Sequence, residues 1–143
     1  MSEKEFRIGI RPAKKADIDP VLNLTGTLIS REDLAYLTGD PSSLSLVAEA
    51  EGHIIGFCLA HTLYVGIPLT KVGVIQGIVV QHEYRRHGIG EELVEAIIQR
   101  CSERGVSTVR SLVEEGDARL RRFIEQLGFR RSTVANYDKI SYF

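Results

Sequence analysis

Tryptophan is absent from this chain, cysteine occurs twice, and the two signs of charge nearly cancel, with 18 Lys and Arg against 19 Asp and Glu. A formal net charge of −1 presents no bulk field to a phosphate backbone. With no basic face and no tryptophan platform, a nucleic-acid-binding role is disfavoured. Cys58 and Cys101 both sit in apolar stretches and two thiols make no disulfide framework, so buried, reduced cysteines are expected. The four histidines show no metal-ligand spacing and no cysteine pair matches a zinc pattern, so no metal is expected. No apolar run approaches bilayer length, and none of signal-peptide length follows the charged Met1 to Phe6. The expectation is a cytoplasmic protein without membrane contact. Internal repeats and low-complexity tracts are also lacking.

What is present is an ordinary globular composition, 43% hydrophobic and 26% charged over 143 residues, enough for one domain spanning 1–143 with its own core. Phe6, Ile8 and Ile10 alternate with polar or small residues, the period of a half-buried strand, until Pro12. Asp17 is placed to cap a helix through Val21, Leu22 and Leu24, with Pro20 in its first turn. A short helix is expected from Glu32 to Leu37. Two apolar runs, Leu44 to Ala50 and His53 to Leu63, joined by Glu51-Gly52, read as a hairpin, and Val72 to Gln81 as a third strand. From Ile89 the apolar positions Leu93, Ala96, Ile97 and Cys101 follow helical spacing up to Gly105. Val106 to Val113 reads as a strand. Asp117 is placed to cap a helix carrying Leu120, Phe123, Ile124 and Leu127 on one face and ending at Gly128, and a last strand pair is expected from Phe129 onward. The order predicts a mixed α/β (α+β) layered fold.

The segment Gln81-His82-Glu83-Tyr84-Arg85-Arg86-His87-Gly88-Ile89-Gly90 joins a strand to a helix through two glycines. A helix N-terminus presents unpaired N–H groups, and glycine lets an anion approach them closely. Arg85, Arg86 and His87 add donors, which suits a diphosphate. The alternative is a plain turn with solvated arginines. A dinucleotide pattern would need glycine where Leu93 stands, and the Gly-Lys-Ser/Thr of a nucleotide loop is absent.

This segment, Arg85-x-x-Gly88-x-Gly90 after Ile78-Val79-Val80, resembles the Arg/Gln-x-x-Gly-x-Gly/Ala cofactor motif of the GNAT superfamily of N-acetyltransferases. Arg11-Pro12-Ala13 to Asp17 resembles that family's first strand-helix junction, and Asp117 to Phe129 its second cofactor helix. The resemblance implies a mainly antiparallel central sheet flanked by helices. It implies acetyl-CoA as co-substrate, its pyrophosphate held by backbone groups of Arg86, His87, Gly88, Ile89, Gly90 and Glu91, and its pantetheine arm paired with Ile78 and Val80. Val79 or its neighbours would then offer an N–H to the thioester oxygen. Asp117 replaces the family's usual asparagine and can only accept, so it reads equally as a simple N-cap.

Two positions depart from the family pattern. Ile124 stands where many members carry a tyrosine that protonates the departing thiolate, and Leu112 where some carry a glutamate that accepts the proton, so no catalytic residue carries over. Glu114, Glu115, His82, Glu83, His61 and Tyr137 are the remaining candidates for proton transfer. The basic cluster Arg119, Arg121 and Arg122 reads as a solvated helix face or as a site for the adenosine 3′-phosphate. The implied activity is transfer of an acetyl group to a primary amine, whether a protein N-terminus, a lysine or a small amine. The alternative is a catalytically weak acyl-CoA-binding regulatory module. Oligomeric state stays open, a homodimer paired through the terminal strands being one arrangement.

Overall fold

The computed structural model describes residues 7–141. Phe6 and the rest of the charged N-terminal segment lie outside the described residues, as does the end of the C-terminal strand expected after Phe129. The chain divides into two compact units, Met1–Leu112 and Val113–Phe143.

The first unit is a five-stranded sheet in sequence order, β1 (Ile8–Pro12), β2 (Leu46–Ala50), β3 (His53–Val65), β4 (Thr70–Val80) and β5 (Val109–Ser111). All neighbours are antiparallel except β4 and β5. Glu51 and Gly52, both at positive φ, form the two-residue turn that joins β2 to β3. Helices α1 (Ile18–Thr25) and α2 (Arg31–Gly39) lie on one face, where Val21 and Leu34 are buried with Val47 and Phe57. Helix α3 (Ile89–Glu103) covers the other face. Gly56 and Gly73 let it approach: a Cβ on Gly56 would stand 3.4 Å from Ile89 and Leu93, and one on Gly73 would collide with Cys101 Sγ. Burial pushes the Cys58 thiol up to about 12, so it stays protonated.

Asp17 does not cap α1 with its side chain. Its carboxylate accepts from the Lys14 N–H at 2.8 Å and from both terminal nitrogens of Arg11 at 2.7 Å. Arg11 also reaches Glu49 at 2.6 Å, tying β1, β2 and the start of α1 together. A bidentate guanidinium outcompetes a helix N–H for a buried carboxylate. The strand expected over 106–113 is shorter, Val109–Ser111, because Val106 N–H still bonds the Cys101 carbonyl at the end of α3 and β5 meets only Gly73–Ile75 of β4.

In the second unit, Asp117 Oδ1 accepts from Leu120 N–H at 3.1 Å and caps α4 (Ala118–Gln126), and Gly128 at φ 93° follows its end. Glu115 pairs with Arg131 at 2.6 Å. Residues 129–141 form no strand, contrary to the expected pair. Val134, Tyr137 and Ile140 recur every third position, not every second, and Ser132 and Asp138 bond locally to Val134 N–H and Asn136. Such bonds compete with a ladder. Among the described residues no helix is long and apolar enough to cross a membrane.

Candidate functional site

Strand β4 changes character at Gln76. Leu59 pairs with Gly77 and Ala60 with Ile75, so Gln76 is the extra residue of a bulge. Before it, Gly73 N–H bonds Thr108 O at 2.9 Å and Leu112 N–H reaches Ile75 O at 3.4 Å, so odd-numbered residues face β5. Beyond it, Gln81 N–H bonds Ile55 O of β3 at 2.8 Å. Alternation then turns the main-chain groups of Gly77 and Val79 toward β3 and those of Ile78 and Val80 toward the side that β5 does not reach. One inserted residue thus leaves an open edge of main-chain donors and acceptors. The open groups belong to Ile78 and Val80, while the Val79 N–H faces β3.

Past Val80 the chain makes a tight turn in which Tyr84 N–H bonds Gln81 O and Arg85 N–H bonds His82 O. Arg85 folds back so that its Nε donates to Val80 O at 3.1 Å, which fixes the loop to the strand and engages one outward carbonyl. Arg86 at φ 68° and Gly88 at φ 74° then turn the chain into α3. Gly88 is the N-cap and brings no side chain to serve the first N–H groups, so those of Ile89, Gly90 and Glu91 have no partner one turn earlier. Space in front of Gly88 is open. Glu91 and Glu92 put acidic side chains in the first turn, so Glu91 favours an anion only through its backbone. Ile89, buried against Gly56, fixes the direction in which these N–H groups point.

Ile78 to Glu91, predicted from sequence as one site, are thus contiguous at one end of the sheet. A cleft of about 940 Å³ opens there between α1 and the loop, lined among others by Asp19, Asn23, Gly52, Val80, His82 and Arg85. Asp117 belongs to the second unit, where its carboxylate is engaged as the α4 cap. Leu112 is 65% exposed and Ile124 buried, and neither can move a proton. Glu115 is paired with Arg131, which holds its carboxyl below the usual range. Arg121 donates to the Glu115 carbonyl at 2.8 Å. Glu83 is likewise held low by hydrogen bonds from its own backbone and Gln81. Among the described residues no group of three or more His, Cys, Asp or Glu side chains is placed to hold a metal ion.

A second cavity, about 250 Å³, lies at the bulge and is lined by Asp40, Ser42, Ser45, Leu59, His61 and Gln76 among others. Of these, His61 is a candidate from the sequence for proton transfer. Asp40 and Gln76 reach it through the register of β3 on β4 and the chain's return from α2, which no local pattern encodes.

Residues 18–129 match the acetyltransferase (GNAT) family. An uncharacterized N-acetyltransferase of Archaeoglobus fulgidus is 30% identical over 137 residues, which is 85% of this chain and 92% of the relative. The fold superposes on an aminoglycoside N-acetyltransferase solved in complex with CoA, with TM-score 0.82 and 19% identity over 97% of this chain and 99% of the other. It superposes on a ribosomal-protein-alanine N-acetyltransferase from Brucella melitensis biovar Abortus with TM-score 0.79 and 19% identity, over 94% and 100%. At these identities the two superpositions speak to fold.

Proposed function

This chain belongs to the acetyltransferase (GNAT) family, and we propose that it moves an acetyl group from acetyl-CoA to a primary amine. The observation that carries the reading is the open half of β4 running straight into an uncapped helix N-terminus. The pantetheine arm is an extended chain of amides, and it pairs with Ile78 N–H and C=O and Val80 N–H as an added strand would. The pyrophosphate lies against the N–H groups from Arg86 to Glu91, with Arg86 and His87 supplying charge.

The thioester then sits toward the bulge, where an outward N–H of the open edge meets the carbonyl oxygen as negative charge grows on it. The acceptor nitrogen attacks the thioester carbon, the C–N bond forms, the C–S bond breaks, and CoA leaves as the thiolate. Positioning supplies much of the rate in such a two-substrate site. An aminoglycoside and a ribosomal protein alanine are named for the two superposed enzymes, so the fold by itself does not choose the acceptor.

Calorimetric titration of acetyl-CoA and CoA into the wild type and a Gly88→Asp variant tests the reading. Gly88 has open space for a side chain, and aspartate tolerates its left-handed backbone better than most residues, so the variant folds. Its carboxylate faces the pyrophosphate. Binding by the wild type and at least about a hundredfold loss in the variant is expected, which is about 2.7 kcal/mol. Failure of the wild type to bind removes the transferase reading. Binding without acceptor-dependent release of CoA identifies a CoA-binding module instead.

A further inference from the structure

We propose that the 250 Å³ cavity at the β4 bulge receives the amine end of the acceptor and that the His61 imidazole takes the proton the amine must lose. This deepens the transferase reading and rests on it. Among the described residues, His61 Nδ1 is the one buried side-chain nitrogen or oxygen without a hydrogen-bond partner. A buried polar atom left unpaired costs free energy and calls for a function or a ligand. The His61 ring also lines a cavity whose other polar groups are suited to a cation.

The chain from Asp40 to Ser45 is stapled onto β3 around His61. Ser43 bridges His61, Thr62 N–H bonds Ser42 O at 2.9 Å, Leu44 N–H bonds Ala60 O at 2.8 Å, and the buried Ser45 hydroxyl both donates to and accepts from Ala60. Asp40 is fixed in turn by accepting from Ser42 N–H at 2.8 Å. Hydrogen bonds from Ser42 hold Asp40 below the usual carboxylate range, so it is ionised at neutral pH. It is the one charged carboxylate lining the cavity, and Ser42, Ser45 and Gln76 are neutral. A carboxylate and an imidazole acceptor suit an ammonium and repel an anion. The volume is enough for an aminoalkyl chain, as of a lysine or a short alkylamine.

Gln76 lines the cavity two residues, about 7 Å along the strand, before Ile78, where the open edge begins. An amine held beside Asp40 and His61 therefore stands next to the end of the groove where the thioester arrives. An alkyl ammonium with pKa about 10.4 is neutral in only about one molecule per thousand at pH 7, so a base beside it matters. The ammonium gives one proton to His61 and attacks the thioester carbon as the free amine. The adduct's second proton goes to the departing thiolate, and the imidazolium returns its proton to solvent. The products are the amide, CoA and one proton.

The test follows the four histidine ring signals by NMR in the full chain with CoA bound while n-butylamine is added. The His61 ring signals are expected to shift, with those of His53, His82 and His87 unchanged, and the shift is lost in Asp40→Asn. With acetyl-CoA and putrescine as acceptor, His61→Gln lowers kcat/KM by about a hundredfold at pH 7 and abolishes the limb of the pH profile that the base contributes, while acetyl-CoA affinity stays within about twofold. Asp40→Asn raises KM for the amine more than it lowers kcat. A His61 ring that ignores the amine, or a His61→Gln enzyme with the wild-type pH profile, overturns the proposal while acetyl-CoA binding leaves the transferase reading standing. Absence of acetyl-CoA binding by the wild type overturns both.

Discussion

The two halves of β4 carry the same kind of side chains and meet different fates. Val72 to Ile75 are buried, the last three of them paired on both sides, with Gly73 pressed under Cys101 of α3. Gly77 to Val80 keep β3 as a partner, lie outside the reach of β5, and range from half-buried to exposed. The change occurs over one residue, Gln76, which reverses which main-chain groups point toward β5. An apolar pattern states which residues need cover; it does not state how many neighbours a strand keeps. Main-chain groups are obligatory hydrogen-bonding groups, so the half with an incomplete ladder is the half able to take a ligand.

Amide exchange should show the largest difference. The Ile78 and Val80 amides are expected to exchange at least about a hundredfold faster than Gly73, and to slow on adding acetyl-CoA while Gly73 does not change. Equal protection in the free protein would mean that the edge is closed and the comparison is wrong. Glycine-to-alanine changes read the same contrast as stability. Gly73→Ala drives a Cβ into Cys101 Sγ and is expected to cost about 2 kcal/mol by urea unfolding, whereas Gly77→Ala, with open space around it, stays within about 0.5 kcal/mol of wild type.

Asp17→Asn serves as a control outside β4. It removes the charge and one of the two acceptors that Asp17 offers Arg11, and is expected to lose about 1.5 kcal/mol at pH 7 without changing the exchange ratio between the halves. Arg11 holds the Asp17 carboxyl below its ordinary value against the opposing effect of burial. Its stabilisation is therefore complete above the unfolded-state pKa near 3.9 and is lost as pH falls through the lower folded-state value, so the gap between variant and wild type closes below about pH 4. Arg85→Ala has the smallest expected effect, about 0.5 kcal/mol in thermal unfolding, because it removes one exposed hydrogen bond and frees the Val80 carbonyl.

The loop from Gln81 to Gly90 was legible in the sequence because its signals are local. Gly88 sits where the backbone is left-handed, and the apolar spacing after Ile89 starts a helix at once. The Glu51-Gly52 turn and the Asp117-to-Gly128 helix were legible for the same reason. Asp17 was misread because its partner, Arg11, belongs to the neighbouring strand and outcompetes the helix cap. The strand expected after Phe129 failed because an apolar residue every third position offers no single face. The bulge, and the placing of Asp40 and Gln76 beside His61, left no trace of their own.

By itself, then, the sequence determined most of the elements before Phe129, the turn residues between them and the uncapped helix end, since each depends on residues within a turn or two of one another. Only the tertiary structure decided that β4 parts from β5 after Ile75 and that Asp40, His61 and Gln76 share a cavity. Those outcomes depend on the register of strands joined by long connections, where slipping by one residue sends every side chain to the opposite face.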